Sequence, residues 1–132
     1  MYTSSYTFGT ETKMTVPQAR QKVEELLKEE GFGILTEIDV SATLKKKIDV
    51  DFRPYLILGA CNPKIAHEAL GLEREIGALL PCNVIVYQND KGGTNIAFMD
   101  PLTAMETTGN KSLAQHAQLV KDKLMSVAKK LA

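Results

Sequence analysis

The sequence predicts an α+β fold: a two-layer sandwich in which a mainly antiparallel five-stranded sheet carries two long amphipathic helices on one face. Three observations lead there. One stretch near each end places apolar residues at helical spacing with charged residues between them. The segments between these stretches are strand-length, alternating or continuously apolar, and rich in β-branched and aromatic residues. The last two of them flank the turn NDKGG, which is too short for anything but an antiparallel return.

The elements follow in order. Residues 2–9 (YTSSYTFG) read as the first strand. Thr15 then reads as a helix N-cap, with Gln18 completing a capping box. Val16, Ala19, Val23, Leu26 and Leu27 form one apolar stripe, and Gly31 stands where the helix should stop. FGILTEIDV alternates, with Phe32, Ile34, Thr36 and Ile38 expected on one face and Glu37 toward solvent. SATLKKKI reads as a short helix capped by Ser41 or as a frayed turn, DVDFRP as a loop, and YLILGAC as a buried strand. Asn62 followed by Pro63 is a strong helix start, and this helix runs to Leu70. EREIGALL adds a further helical turn or two, before the strands CNVIVYQ and TNIAFMD. PLTAME suggests a short helix. The final helix starts near Asn110 or Ser112 and carries the stripe Leu113, Ala117, Val120, Leu124, Val127, Ala128 and Leu131. All five prolines fall at predicted element boundaries, and no repeat or linker interrupts the 132 residues, which are expected to form a single domain.

Sixteen basic residues balance sixteen acidic ones, which leaves no electrostatic footprint for a nucleic-acid partner. The balance is uneven: residues 109–132 carry five lysines against one aspartate. The polar start has no basic segment leading into an apolar run, and no apolar run has the ~20 residues a membrane span needs. A soluble, cytoplasmic protein with reduced thiols is expected, without nucleic-acid or membrane partners.

The stretches FGILTEIDVSATLKKK, YLILGACNPKIAHEAL, EIGALLPCNVIVYQ and MDP, in that order and spacing, resemble the Domain of Unknown Function 302 family. The resemblance runs from about the first helix to Asp100, and its specific parts are GACNP and LLPCNV. It implies a small α+β fold of TATA-box-binding-protein-like topology. It implies no nucleic-acid binding. The family has no established activity, so it assigns no catalytic residues.

One constellation invites chemistry. Cys61-Asn62 closes a strand before a helix, and Cys82-Asn83 opens the next strand. If those strands are antiparallel, both thiols lie at one end of the sheet, as the resemblance favours. A thiol at a helix start can have a lowered pKa, and His67 lies near the same start. The candidate site is therefore Cys61, Asn62, His67, Cys82 and Asn83, with Asp100 as a nearby carboxylate; no cofactor or metal is expected. Buried packing is the competing reading of both cysteines. His116 is expected at a surface or boundary, and Tyr55 and Tyr87 are expected to pack with polar tips free. YLILGAC and NVIVY are apolar on both faces, so the sheet face away from the helices should be covered by a ligand or a second copy. The favoured reading is a non-catalytic ligand-binding or homodimeric interaction module. The alternative is a thiol-redox or soft-metal protein centred on Cys61 and Cys82.

Overall fold

The computed structural model describes residues 1–132. It contains strands β1 (Tyr2–Thr3), β2 (Thr7–Thr12), β3 (Gly33–Asp39), β4 (Tyr55–Cys61), β5 (Cys82–Gln88) and β6 (Thr94–Met99). Its helices are α1 (Val16–Glu29), α2 (Val40–Ile48), α3 (Pro63–Leu72), α4 (Pro101–Glu106) and α5 (Ala114–Leu131). The six strands form one sheet in the order β1-β2-β6-β5-β4-β3, and every pairing is antiparallel. No helix is long and apolar enough to cross a membrane.

The predicted class holds, with six strands instead of five. The expected first strand breaks at Ser4, whose hydroxyl accepts from the amides of Tyr6 and Thr7. This local turn folds the chain back, so Tyr2 pairs with Gly9.

Helix α1 is built as its sequence dictates. Thr15 accepts from the Gln18 amide while the Gln18 side chain accepts from the Thr15 amide. Val16, Ala19, Val23, Leu26 and Leu27 are all buried. At the other end Gly31 takes φ +83°. Its amide bonds to the Lys28 carbonyl and that of Phe32 to the Leu27 carbonyl, a Schellman stop. Thr15→Ala removes one half of the capping box and is expected to cost about 1 kcal/mol, read as a lower urea midpoint at unchanged slope.

Helices α1 and α5 pack side by side on one face of the sheet. Between them and the strands lie Phe8, Leu58, Val84, Val86, Ile96 and Phe98, all but inaccessible to solvent. The seven predicted apolar positions of the last helix are all buried, Leu113 in the short 3-10 turn just before α5.

Strand β3 departs from simple alternation. Ile34 pairs with Ala60, but Thr36 already pairs with Gly59, so Leu35 is an extra residue in a bulge. Ile34 therefore faces the helices, whereas Thr36 and Ile38 face away. Glu37 turns to the helix side and meets the Arg20 guanidinium of α1 at 2.8 Å. The next helix starts earlier than predicted: Asp39, not Ser41, caps α2 by accepting from the Ala42 amide.

Candidate functional site

Two places on this fold are unlike the rest: the end of the sheet under α3, and the sheet face that no helix covers.

Strand β4 ends at Cys61 and β5 starts at Cys82. Because the two are antiparallel, both thiols lie at one end of the sheet. The register sets Ala60, not Cys61, opposite Cys82. The cysteines are therefore not a facing pair, and both are free thiols. Asn62 caps α3 by accepting from the Ile65 amide at 3.3 Å. The chain then folds α3 and a 3-10 segment (Arg74–Leu79) over this end.

A narrow apolar cavity of about 50 Å³ remains beneath. Phe32, Ala60, Cys61 and Cys82 line it from the sheet side, and Ile65, Ala66 and Ala69 from α3. Met105, His116, Ala117 and Val120 close it from α4 and α5. Asn62 lies in the wall as well. The remaining sequence-predicted residues lie outside that wall. His67 is exposed on α3, and Asn83 is exposed on the other face of the sheet. Asp100 caps α4 through the Leu102 amide and pairs with Lys121 at 3.0 Å.

Both thiols are shifted up, for Cys61 the direction opposite to the one its position before a helix suggested. Burial raises Cys61, and it raises Cys82 to about 11, helped by the charge Cys61 would carry. At the helix terminus Asn62 takes the Ile65 amide and Pro63 has no N–H, and burial alone sets the direction of the Cys61 shift. Both groups stay protonated at neutral pH, and no group of three His, Cys, Asp or Glu side chains is arranged to hold a metal ion.

This shift ties Cys82 to stability. A raised folded-state pKa favours the folded chain fully below the ordinary value of 9.0, and the advantage is lost as pH climbs to about 11. The loss amounts to about 2–3 kcal/mol. Cys82→Val is expected to flatten the decline of urea stability between pH 9 and 11; an unchanged decline would mean the thiol does not titrate in that window.

His116 is half-buried, the boundary position expected of it, but its place in the cavity wall was not foreseen from the sequence. Its Nε2 lies 3.0 Å from the Glu68 carboxylate. A carboxylate only accepts, so Nε2 is the donor in this contact. Nδ1 is buried and has no hydrogen-bond partner.

The uncovered sheet face has a regular order. One row crosses all six strands: Tyr2, Gly9, Ala97, Ile85, Ile57 and Ile38. Tyr2 lies over Gly9, where an added Cβ would stand 2.8 Å from the tyrosine ring. On one side of this row Tyr55 and Tyr87 stack with ring centroids 5.2 Å apart. Asn95 donates to the hydroxyls of Tyr87 and Tyr2 at 3.1 and 3.3 Å, so the Tyr87 tip, expected free, is held. On the other side lie Thr7, Met99, Asn83, Gly59 and Thr36. The face continues into an arm: from Gly33 to Ile57 not one residue is buried. Leu35, Ile38, Ile48, Val50 and Phe52 are all large, apolar and exposed there.

Among curated proteins, none matches this chain. The crystal structure of an uncharacterized conserved protein DUF302 from Bacillus stearothermophilus is similar to it, with a TM-score of 0.91 and 28% identity over 98% of this chain and 100% of that one. The family model for the domain of unknown function DUF302 matches residues 8–131. With the model matched over nearly its whole length and the sheet and two long helices in place, the chain belongs to the DUF302 family.

Proposed function

We propose that the chain is a one-domain, non-catalytic interaction module that works as a homodimer, with the uncovered sheet face as its contact. The observation that carries this reading is the apolar row from Tyr2 to Ile38, which spans the whole sheet with no helix over it. Six strands at about 4.8 Å spacing make that row roughly 24 Å long. With its flanking rows and the exposed arm, the face is of the order of the ~800 Å² that each partner contributes to a standard interface.

The occupant is a second copy because the surface matches itself. Its three rows carry one charge, Glu11, at a corner. The arm, residues 33–54, holds four acidic and four basic side chains. Such a face has nothing to select a strongly charged partner, and a two-fold axis sets its apolar row against its own copy. Helix α2 adds to the case, since a nine-residue helix with no buried residue has little to hold it without a cover. The two free cysteines fit a reducing, cytoplasmic setting. The thiol-redox alternative is weakened by the raised pKa of both thiols.

A sample mixed from isotope-labelled and unlabelled chains tests this directly. Intermolecular NOEs are expected among the Ile57, Ile85 and Met99 methyls. Their absence, or contacts confined to the helical layer, would remove the reading.

A further inference from the structure

We propose that residues 62–81 form a lid that lifts as one unit from the end of the sheet, while the strands, α1 and α5 stay folded, and so gates the apolar cavity beneath it. This goes beyond the homodimer, which uses the sheet face away from the helices.

The lid has little apolar surface holding it down. Between Asn62 and Pro81 only Ile65, Ala69 and Ile76 are buried. Of these, Ile65 alone packs into the main core. Ala69 and Ile76 belong to a separate small cluster with Leu113, edged by Leu79, Leu80 and Met105. The cavity of about 50 Å³ lies between Ala66 and Ala69 of the lid and Ala60 and Cys82 of the sheet. Side chains that line a gap forfeit the dispersion contacts that close packing would supply.

Its hydrogen bonds are also largely its own. Outside the regular helix, the amides of Ala66, Glu73, Ile76 and Leu80 bond to the carbonyls of Asn62, Ala69, Glu73 and Gly77, all within the lid. The side-chain ties to the rest of the chain come from one short stretch. Asn110 Nδ2 donates to the Leu72 carbonyl and to the Glu73 carboxylate, each at 3.0 Å. His116 Nε2 donates to Glu68 at 3.0 Å. No other side-chain hydrogen bond or ion pair leaves the lid. The two ends of the lid stand side by side, because Cys61 and Cys82 terminate adjacent antiparallel strands and Ala60 lies opposite Cys82. A swing about Asn62 and Pro81 therefore breaks no strand pair, and a few residues at the ends of elements can absorb it. Such an opening costs only what it uncovers, which is less than global unfolding uncovers.

Native-state hydrogen exchange of the full chain tests this, together with N-ethylmaleimide labelling of Cys82 in Cys61→Ala, where it is the only thiol. The α3 amides from Ala66 to Leu72 are expected to exchange through one shared opening. That opening should be about a hundredfold or more as frequent as the one that exposes the Val84 and Val86 amides of β5, which is paired on both sides. Cys82 should be labelled with the frequency of the lid opening. Asn110→Asp keeps the oxygen that caps the next turn but loses the donor and sets a carboxylate against Glu73. It should speed α3 exchange and Cys82 labelling together, roughly tenfold or more, the worth of two hydrogen bonds. Thr15→Ala weakens α1, which stays folded when the lid is open. It should speed the Val84 and Val86 amides several-fold and leave both lid signals as they were. Lid amides that exchange no faster than β5, lid signals that ignore Asn110→Asp, or lid signals that rise with Thr15→Ala would each overturn the proposal.

Discussion

Truncating Phe98 to alanine is expected to destabilise the fold by about 3–5 kcal/mol, a fifth or more of the ~5–15 kcal/mol that holds a domain of this size together. Phe98 lies on β6, between β2 and β5 in the sheet, and is fully shielded from solvent. Its ring stacks on Phe8 of β2 with centroids 5.5 Å apart and planes 13° from parallel. Its neighbours are strand residues fixed by backbone pairing on both sides, so the wall cannot collapse into the space the ring leaves. The lost transfer energy and the cavity therefore add. Urea unfolding of the variant measures the effect, and a loss under 1 kcal/mol would mean that the two-layer core is not where the fold's stability resides.

The second large effect concerns association. Ile85→Lys places a charge at the centre of the open row, flanked by Ala97 and Ile57. In a single chain this position is only partly buried, so the lysine can reach water and stability should change by about 1 kcal/mol or less. In the face-to-face dimer the ammonium would be desolvated against an apolar surface, weakening association by about 100-fold or more. Lys129→Glu, an exposed change on α5, should leave association untouched. Sedimentation equilibrium of the two variants separates these outcomes. An Ile85→Lys chain that associates as tightly as the parent would place the contact elsewhere.

What the sequence made legible was local. The capping box at Thr15, the stop at Gly31 and the Asn62-Pro63 start each involve residues a few positions apart, and all formed as read. The apolar stripes of α1 and α5 have one buried side, and their spacing gives it directly. The misreadings came from pairing. The bulge at Leu35 reverses which side chains of β3 face the core, and nothing in GILTEID reveals it, because register is set by the partner strand. The turn at Ser4 was hidden by the strand-forming Tyr and Thr residues around it.

The cavity was half legible. Placing Cys61 and Cys82 at one sheet end followed from antiparallel topology, but the direction of their pKa shift depended on what lies above them. The place of His116 in the cavity wall was missed because its partner Glu68 is 48 residues away. A signal was present nonetheless: Leu113, His116, Ala117 and Val120 fall at i, i+3, i+4 and i+7, which sets the histidine at the edge of the buried stripe, half-buried as a boundary residue.

The central claim is that the bare sheet face meets a second copy, and the mass of the particle in solution tests it most directly. Sedimentation equilibrium at micromolar concentration is predicted to give twice the chain mass of 14.5 kDa. A mass of 14.5 kDa that persists as concentration is raised would contradict it and leave the apolar row without its partner.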